Sequence, residues 1–218
     1  MTDCPPCVKC VIMRIMKKVL ICAMSVSAAM ARADGIARHM PPLRRERYEA
    51  TRDADLRGQL LAAAGALEGA LAAFLPDFAP PADFFYFPDG RPGVKGACVS
   101  IAHTRGMAVC AVSDSPVGAD IERTDREIRP AMARKILAPG ENPETGRTLL
   151  NAWVDKEAYL KLTGQGLAGG MWRIRTDGNV IFDVEGHRAA CIRRINTDGF
   201  IISVCCREKF LLVMAPGE

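Results

Sequence analysis

Two short segments of this chain carry residue types and spacings that could do chemistry together. In Val117-Gly118-Ala119-Asp120-Ile121-Glu122, apolar and acidic residues alternate, which reads as a strand. Residues two apart on a strand share a face, so Asp120 and Glu122 present two carboxylates together while Ala119 and Ile121 face a core. Two hard oxygen donors on one spot suit Mg²⁺ when phosphate oxygens fill its remaining octahedral positions. The same hexapeptide also suits the acidic outer face of a solvated edge strand. The second segment is Trp153-Val154-Asp155-Lys156-Glu157-Ala158-Tyr159-Leu160-Lys161. Its Trp153, Glu157 and Lys161 fall at i, i+4 and i+8 and share one helix face. That face could be a surface salt bridge beside a buried Trp. Next to a metal–phosphate centre it would instead offer a third ligand or general base and a phosphate-binding ammonium. A third feature is His103 in Ser100-Ile101-Ala102-His103-Thr104, at a strand end, preceded by the turn Gly90-Arg91-Pro92.

The elements that must position these residues follow from hydrophobic periodicity. Val19 to Met24 reads as a first strand, Ala28 to Met40 as helix, and Pro41-Pro42 as the start of another helical element. Asp53 to Leu75, with leucines and alanines three and four apart, predicts a long helix ended by Pro76. Phe84 to Phe87 is a short aromatic strand stopped by Pro88-Asp89-Gly90. Strands follow over 99–102, 107–112 and 117–122. Helical periodicity returns over 128–137 and 144–163, and four tail strands cover 172–175, 180–184, 189–195 and 200–206. This order makes the chain α+β. Each half has strands plus one long helix, which permits a pseudo-two-fold arrangement with a cleft between the halves, divided as 16–113 and 114–218.

The composition of the 218 residues, 49% hydrophobic and 25% charged, excludes a disordered or fibrous protein. Residues 1–60 carry 11 basic and 6 acidic side chains, and the remainder is close to neutral. A local basic excess suits an anionic ligand or acidic partner, and it disfavours a dedicated nucleic-acid binder. The nine cysteines include six from Cys22 onward in apolar runs, which read as reduced core thiols. Cys4, Cys7 and Cys10 imitate a metal run without a suitably spaced fourth ligand. With Met16-Lys17-Lys18 close behind, residues 1–15 read as a disordered extension or a mis-called start. The stretch from Val19 to Ala33 imitates a secretory signal, but Ser25 and Ser27 interrupt it and it reads as strand and helix. No run approaches a bilayer span, so a cytoplasmic protein with no membrane partner is expected.

Gly118-x-Asp120-Ile121-Glu122, followed by Trp153-x-x-Lys156-Glu157-Ala158-x-x-Lys161 and preceded by Gly90-Arg91-Pro92 and Ala102-His103-Thr104, resembles the signature of the 4′-phosphopantetheinyl transferases, in their larger, pseudo-dimeric, surfactin-synthetase-activating type. Gly164-Gln165-Gly166-Leu167 and the basic Pro42 to Arg57 region are similar as well. The resemblance implies transfer of 4′-phosphopantetheine from coenzyme A to a serine of an acyl, peptidyl or polyketide carrier protein, with holo-carrier synthase activity. It implies Mg²⁺ held by Asp120, Glu122 and Glu157, with Glu157 as base and Lys161 and Lys156 on phosphate oxygens. It implies His103 and Arg91 on the nucleotide 3′-phosphate, and Arg52 and Arg57 as further coenzyme A contacts. A monomer could complete such a site by itself. Two other readings use the same residues: a non-catalytic coenzyme A or carrier-binding relative, and a metal-dependent phosphate-ester hydrolase. The chain departs from the family at Ala102 and Thr104, where Ser-His-Ser is usual, at Val154, and in the length of the segment between Arg123 and Ala152.

Overall fold

Alternating burial along the strands sorts this chain into layers. The computed structural model describes residues 17–80, 84–88, 92–141, 148–166 and 169–215. Strand β1 (Lys17–Ser25) runs antiparallel to β5 (Met107–Ser113), which pairs with β4 (Cys98–Thr104). The last strand, β11 (Phe210–Met214), returns to lie parallel to β1 and completes a four-stranded sheet, β11-β1-β5-β4. A second sheet of five strands has the order β6-β10-β9-β8-β7, built from β6 (Val117–Arg123), β7 (Arg175–Asp177), β8 (Val180–Phe182), β9 (Arg188–Thr197) and β10 (Phe200–Cys206). β2 (Phe84–Tyr86) and β3 (Pro92–Val94) form a separate pair.

The two sheets face each other across one apolar layer. Val19 and Ile21 of β1, Val109 and Ala111 of β5, Ala119 and Ile121 of β6, and Ile202 and Val204 of β10 fill it. The alternate residues point outward to helices, as a period of two requires. The outer face of the first sheet carries helix α4 (Ala54–Phe74), with Leu67 and Leu71 against Cys110 and Val112. The outer face of the second carries α6 (Leu149–Thr163), with Ala158 and Leu162 against Ile192 and Cys205. The molecule is therefore α+β with the long helices outermost.

Local sequence accounts for the helix ends. Asp53 caps α4 by accepting from the Leu56 amide at 2.9 Å, and Thr148 caps α6 by accepting from Asn151 at 3.2 Å. Gly164 ends α6 at φ 70°, a left-handed conformation that glycine adopts at no steric cost. The helix expected over 28–40 is two short ones, α1 (Val26–Ala31) and α2 (Ala33–His39), which break at Arg32. α3 (Pro42–Ala50) starts with Pro in its first turn, as expected. Of 128–137, only a 3-10 turn and α5 (Ala133–Ile136) are helical. Trp172 lies in a 3-10 turn, not a strand, because tertiary contacts override a weak local strand preference there. The six described cysteines are free thiols, and Cys22, Cys110, Cys191, Cys205 and Cys206 are buried. Cys4, Cys7 and Cys10, and the expectation for residues 1–15, lie outside the described residues. No described helix is long and apolar enough to cross a membrane.

Candidate active site

α6 lies across β6 at a point where the strand has no side chain. A Cβ on Gly118 would sit 1.9 Å from the Ala158 carbonyl oxygen and 2.6 Å from the Leu162 amide nitrogen. This backbone contact brings the acidic strand and the Trp-x-x-x-Glu-x-x-x-Lys helix together. Lys161 donates from Nζ to Asp120 Oδ1 at 2.7 Å. Glu157, one turn earlier, lies close enough to Asp120 for their charges to repel. Burial, and then the Asp120 charge, push the Glu157 carboxyl up to about 7. Burial also raises Asp120, opposed chiefly by Lys161.

Glu122 lies further along the same face of β6. It accepts from Thr104 Oγ1 at 3.1 Å and pairs with Arg126. That guanidinium stacks over the Trp153 ring, 4.9 Å from its centroid, and its charge is felt by both Asp120 and Glu157. The fold brings Asp120, Glu122, Glu157 and Lys161 into one region. Sequence reasoning missed Thr104 as a partner of Glu122, and Arg126. Among the described residues, the one group of three side chains whose ligand atoms lie within 4.8 Å of one another is Asp183, Glu185 and His187 on the β8–β9 turn. The three carboxylates of the site are thus held apart, with Lys161 and Arg126 as their counter-ions. Their donor chemistry nonetheless suits Mg²⁺: all are hard oxygens, and Asp120 and Glu157 are crowded, poorly hydrated carboxylates that a cation would relieve.

Lys161 also lines a cavity of about 430 Å³ with Arg44, Arg47, Tyr86 and His103. Within it, Arg44 Nε and the Tyr86 hydroxyl are shielded from solvent and have no hydrogen-bond partner among the described residues. Buried donors without acceptors are costly, so this wall is suited to an anion that would satisfy them. Burial lowers Arg44 from its usual value, but a guanidinium remains a cation at neutral pH. Arg44 and Arg47 stand three apart on α3, so they share a face. That spacing is legible in the sequence.

His103 sits where this cavity meets a second groove, of about 570 Å³, that includes Gln59, Thr104, Glu122 and Arg126. Its Nδ1 pairs with Gln59 Oε1 at 2.9 Å. Burial first, and then the charges of Lys161, Arg44 and Arg47, lower its pKa to about 4. Folding therefore favours the neutral imidazole. That contribution is complete above the ordinary value of 6.5 and is lost as the pH falls toward about 4. Acid titration of the wild type over that window should cost about 1–3 kcal/mol more stability than in His103→Gln, measured by denaturant unfolding at each pH. Parallel curves for the two proteins would show that His103 titrates normally.

One expectation needs correction, two residues stand apart from the basic cavity, and one lies outside the described residues. Lys156 is fully buried: it donates from Nζ to the Ile136 carbonyl at 2.7 Å and pairs with Glu141, so it anchors α6 and does not face a phosphate. Glu141 also accepts from Thr176 Oγ1 at 2.8 Å. Arg57 is exposed, with its guanidinium 4.7 Å from the Tyr48 ring centroid, and Arg52 is exposed in the turn between α3 and α4. Neither lines the basic cavity. Arg91 lies outside the described residues.

No family model matches the chain. It is 30% identical over 142 residues to the 4′-phosphopantetheinyl transferase psf-1 of Bacillus pumilus, covering 55% of this chain and 58% of that protein. It is 27% identical over 131 residues to a 4′-phosphopantetheinyl transferase of Bacillus subtilis, covering 52% and 57%. It is 26% identical over 129 residues to the transferase Sfp of Bacillus subtilis strain 168, again covering 52% and 57%. The chain thus spans over half the length of these curated relatives. With an acidic strand and a Glu–Lys helix face meeting at Gly118, the chain is thus similar to 4′-phosphopantetheinyl transferases over about half of its length.

Proposed function

We propose that this protein transfers the 4′-phosphopantetheine group of coenzyme A to a serine hydroxyl of an acyl, peptidyl or polyketide carrier protein in a Mg²⁺-dependent reaction. The observation that carries this reading is the junction at Lys161, which bonds Asp120 on one side and lines the Arg44–Arg47–His103 cavity on the other. A diphosphate ester with a further phosphate has the charge distribution to span such a junction. Mg²⁺, held by Asp120, Glu122 and Glu157, would neutralise the pyrophosphate and stabilise the leaving group.

The side chains supply the remaining work. Lys161 holds phosphate oxygens as a point charge. Arg44, Arg47 and His103 face the nucleotide phosphate. Glu157, poised near neutrality by burial and by Asp120, accepts the serine proton directly or through one water. The serine oxygen bonds to the phosphorus on the pantetheine side, the bond from that phosphorus to the bridging oxygen breaks, and adenosine 3′,5′-bisphosphate leaves with the electron pair. The larger pseudo-dimeric type, a monomeric state and a cytoplasmic location belong to the same reading. The pseudo-dimeric type is supported by the two sheets, each backed by one long helix.

Intact-mass spectrometry of a panel of apo carrier proteins, incubated with the protein, coenzyme A and Mg²⁺, tests it. A phosphopantetheine mass gain suppressed by a chelator is expected. Coenzyme A binding with no gain on any carrier would favour a non-catalytic relative, and phosphate release from small esters would favour a hydrolase. Arg44→Met should weaken coenzyme A binding by roughly 10- to 100-fold in calorimetry, the value of a charge-assisted contact. Unchanged affinity would remove Arg44 from the site.

A further inference from the structure

Asp155 is an unexpected residue to find under α6, because an aspartate in a helix interior has no intrinsic preference for that place. It is fully buried. Arg194 of β9 grips it with both arms of its fork, Nε to Oδ1 and Nη2 to Oδ2, each at 2.7 Å. Ser203 of β10 donates to Oδ1 at 2.8 Å, and Arg194 Nη2 also reaches the Gly178 carbonyl at 3.1 Å. The register of the sheet connects this cluster to the site. Ser203 is the cross-strand partner of Asp120 on one side and of Arg194 on the other. Asp120, Ser203 and Arg194 therefore form one row across three strands, on the face that α6 covers.

The helix is seated on that row at two kinds of contact. At Gly118 backbone meets backbone, which sets how close α6 comes to β6. The Asp155–Arg194 fork has a fixed geometry and leaves one azimuth and one axial position for the helix. From Asp155, Glu157 lies two residues on and Lys161 six, so that position decides whether both face Asp120. We infer that Asp155, through Arg194 and Ser203, is the positioning residue that holds Glu157 and Lys161 against Asp120. The inference rests on the proposed transferase reading for what the site does, but not for the seating itself. A buried ion pair is seldom kept for stability alone, since apolar residues of similar volume often match or exceed it.

The test uses Asp155→Leu/Arg194→Met, which removes both buried charges together, in a Trp172→Phe background where Trp153 on α6 is the sole tryptophan. The expected result is a folded protein of similar thermal stability with altered acrylamide quenching of Trp153. Mn²⁺ binding by electron paramagnetic resonance should weaken about 10- to 100-fold, as for groups that orient metal ligands. The value of kcat should fall comparably while KM for coenzyme A stays within about threefold, since a misplaced group costs turnover more than binding. If the double variant does not fold, Arg194→Lys, which keeps the charge and loses the fork, should give the same pattern in milder form. A folded variant with wild-type Trp153 quenching and Mn²⁺ affinity would overturn the inference. A wild type inactive on every carrier would defeat the functional reading alone, because the quenching of Trp153 would still report where α6 sits.

Discussion

Gly118→Ala is expected to abolish transfer and to destabilise the fold. The added methyl would lie 1.9 Å from the Ala158 carbonyl oxygen and 2.6 Å from the Leu162 nitrogen. Both obstacles are helix backbone, so no rotamer change relieves them. To restore ordinary carbon–oxygen contact, α6 must retreat on the order of 1 Å. Overpacking of this kind costs typically about 1–3 kcal/mol. The larger effect is on the site, because Glu157 and Lys161 move with the helix while Asp120 stays on the strand. A displacement of that size can lower turnover roughly a hundredfold. Carrier modification assays beside thermal unfolding would read both consequences. Wild-type turnover in Gly118→Ala would mean that the approach of α6 to β6 is not what assembles the site.

Glu157→Gln should lose transfer without losing the fold. Removing a positioned base lowers turnover by about 10²- to 10⁴-fold, and the amide is also a poorer metal ligand than the carboxylate. Stability should hold or rise slightly, because Glu157 is raised to about 7 by burial and by repulsion from Asp120, and glutamine has neither penalty. Asp120 behaves differently. It is only 7% exposed and is paired with Lys161, so Asp120→Ala would strand a half-buried ammonium as well as disabling the site. Single-turnover assays and melting curves of both variants separate the cases. Near wild-type turnover in Glu157→Gln would take the base role from this residue.

The sequence by itself determined the strand and the helix that carry the acidic and Glu–Lys residues, and the faces on which those residues stand. Period-two alternation identified β6 with Asp120 and Glu122 on one face, because the pleat leaves no other option. Helical spacing put Trp153, Glu157 and Lys161 on one side of α6 for the same local reason. Asp53, Thr148 and Gly164 marked helix ends through hydrogen bonds and a backbone angle that lie within a few residues of each other.

What only the tertiary structure decided are the partners far apart in the chain. Lys156 and Glu157 are neighbours of equal promise in sequence, yet one anchors the helix beneath Ile136 and Glu141 while the other faces Asp120. A helix turns about 100° per residue, and which side meets the sheet depends on Gly118, Ser203 and Arg194 elsewhere. Arg44 and Arg47, not Arg52 and Arg57, line the basic cavity for a similar reason. α3 is placed by Tyr48 packing against the cluster that holds Leu61, Ala62 and Ile101, not by the residues adjacent to each arginine. β11 joins β1 across nearly the whole length of the chain. No local pattern encodes such a pairing, because it buries Phe210 among residues of both sheets that lie far away in the chain.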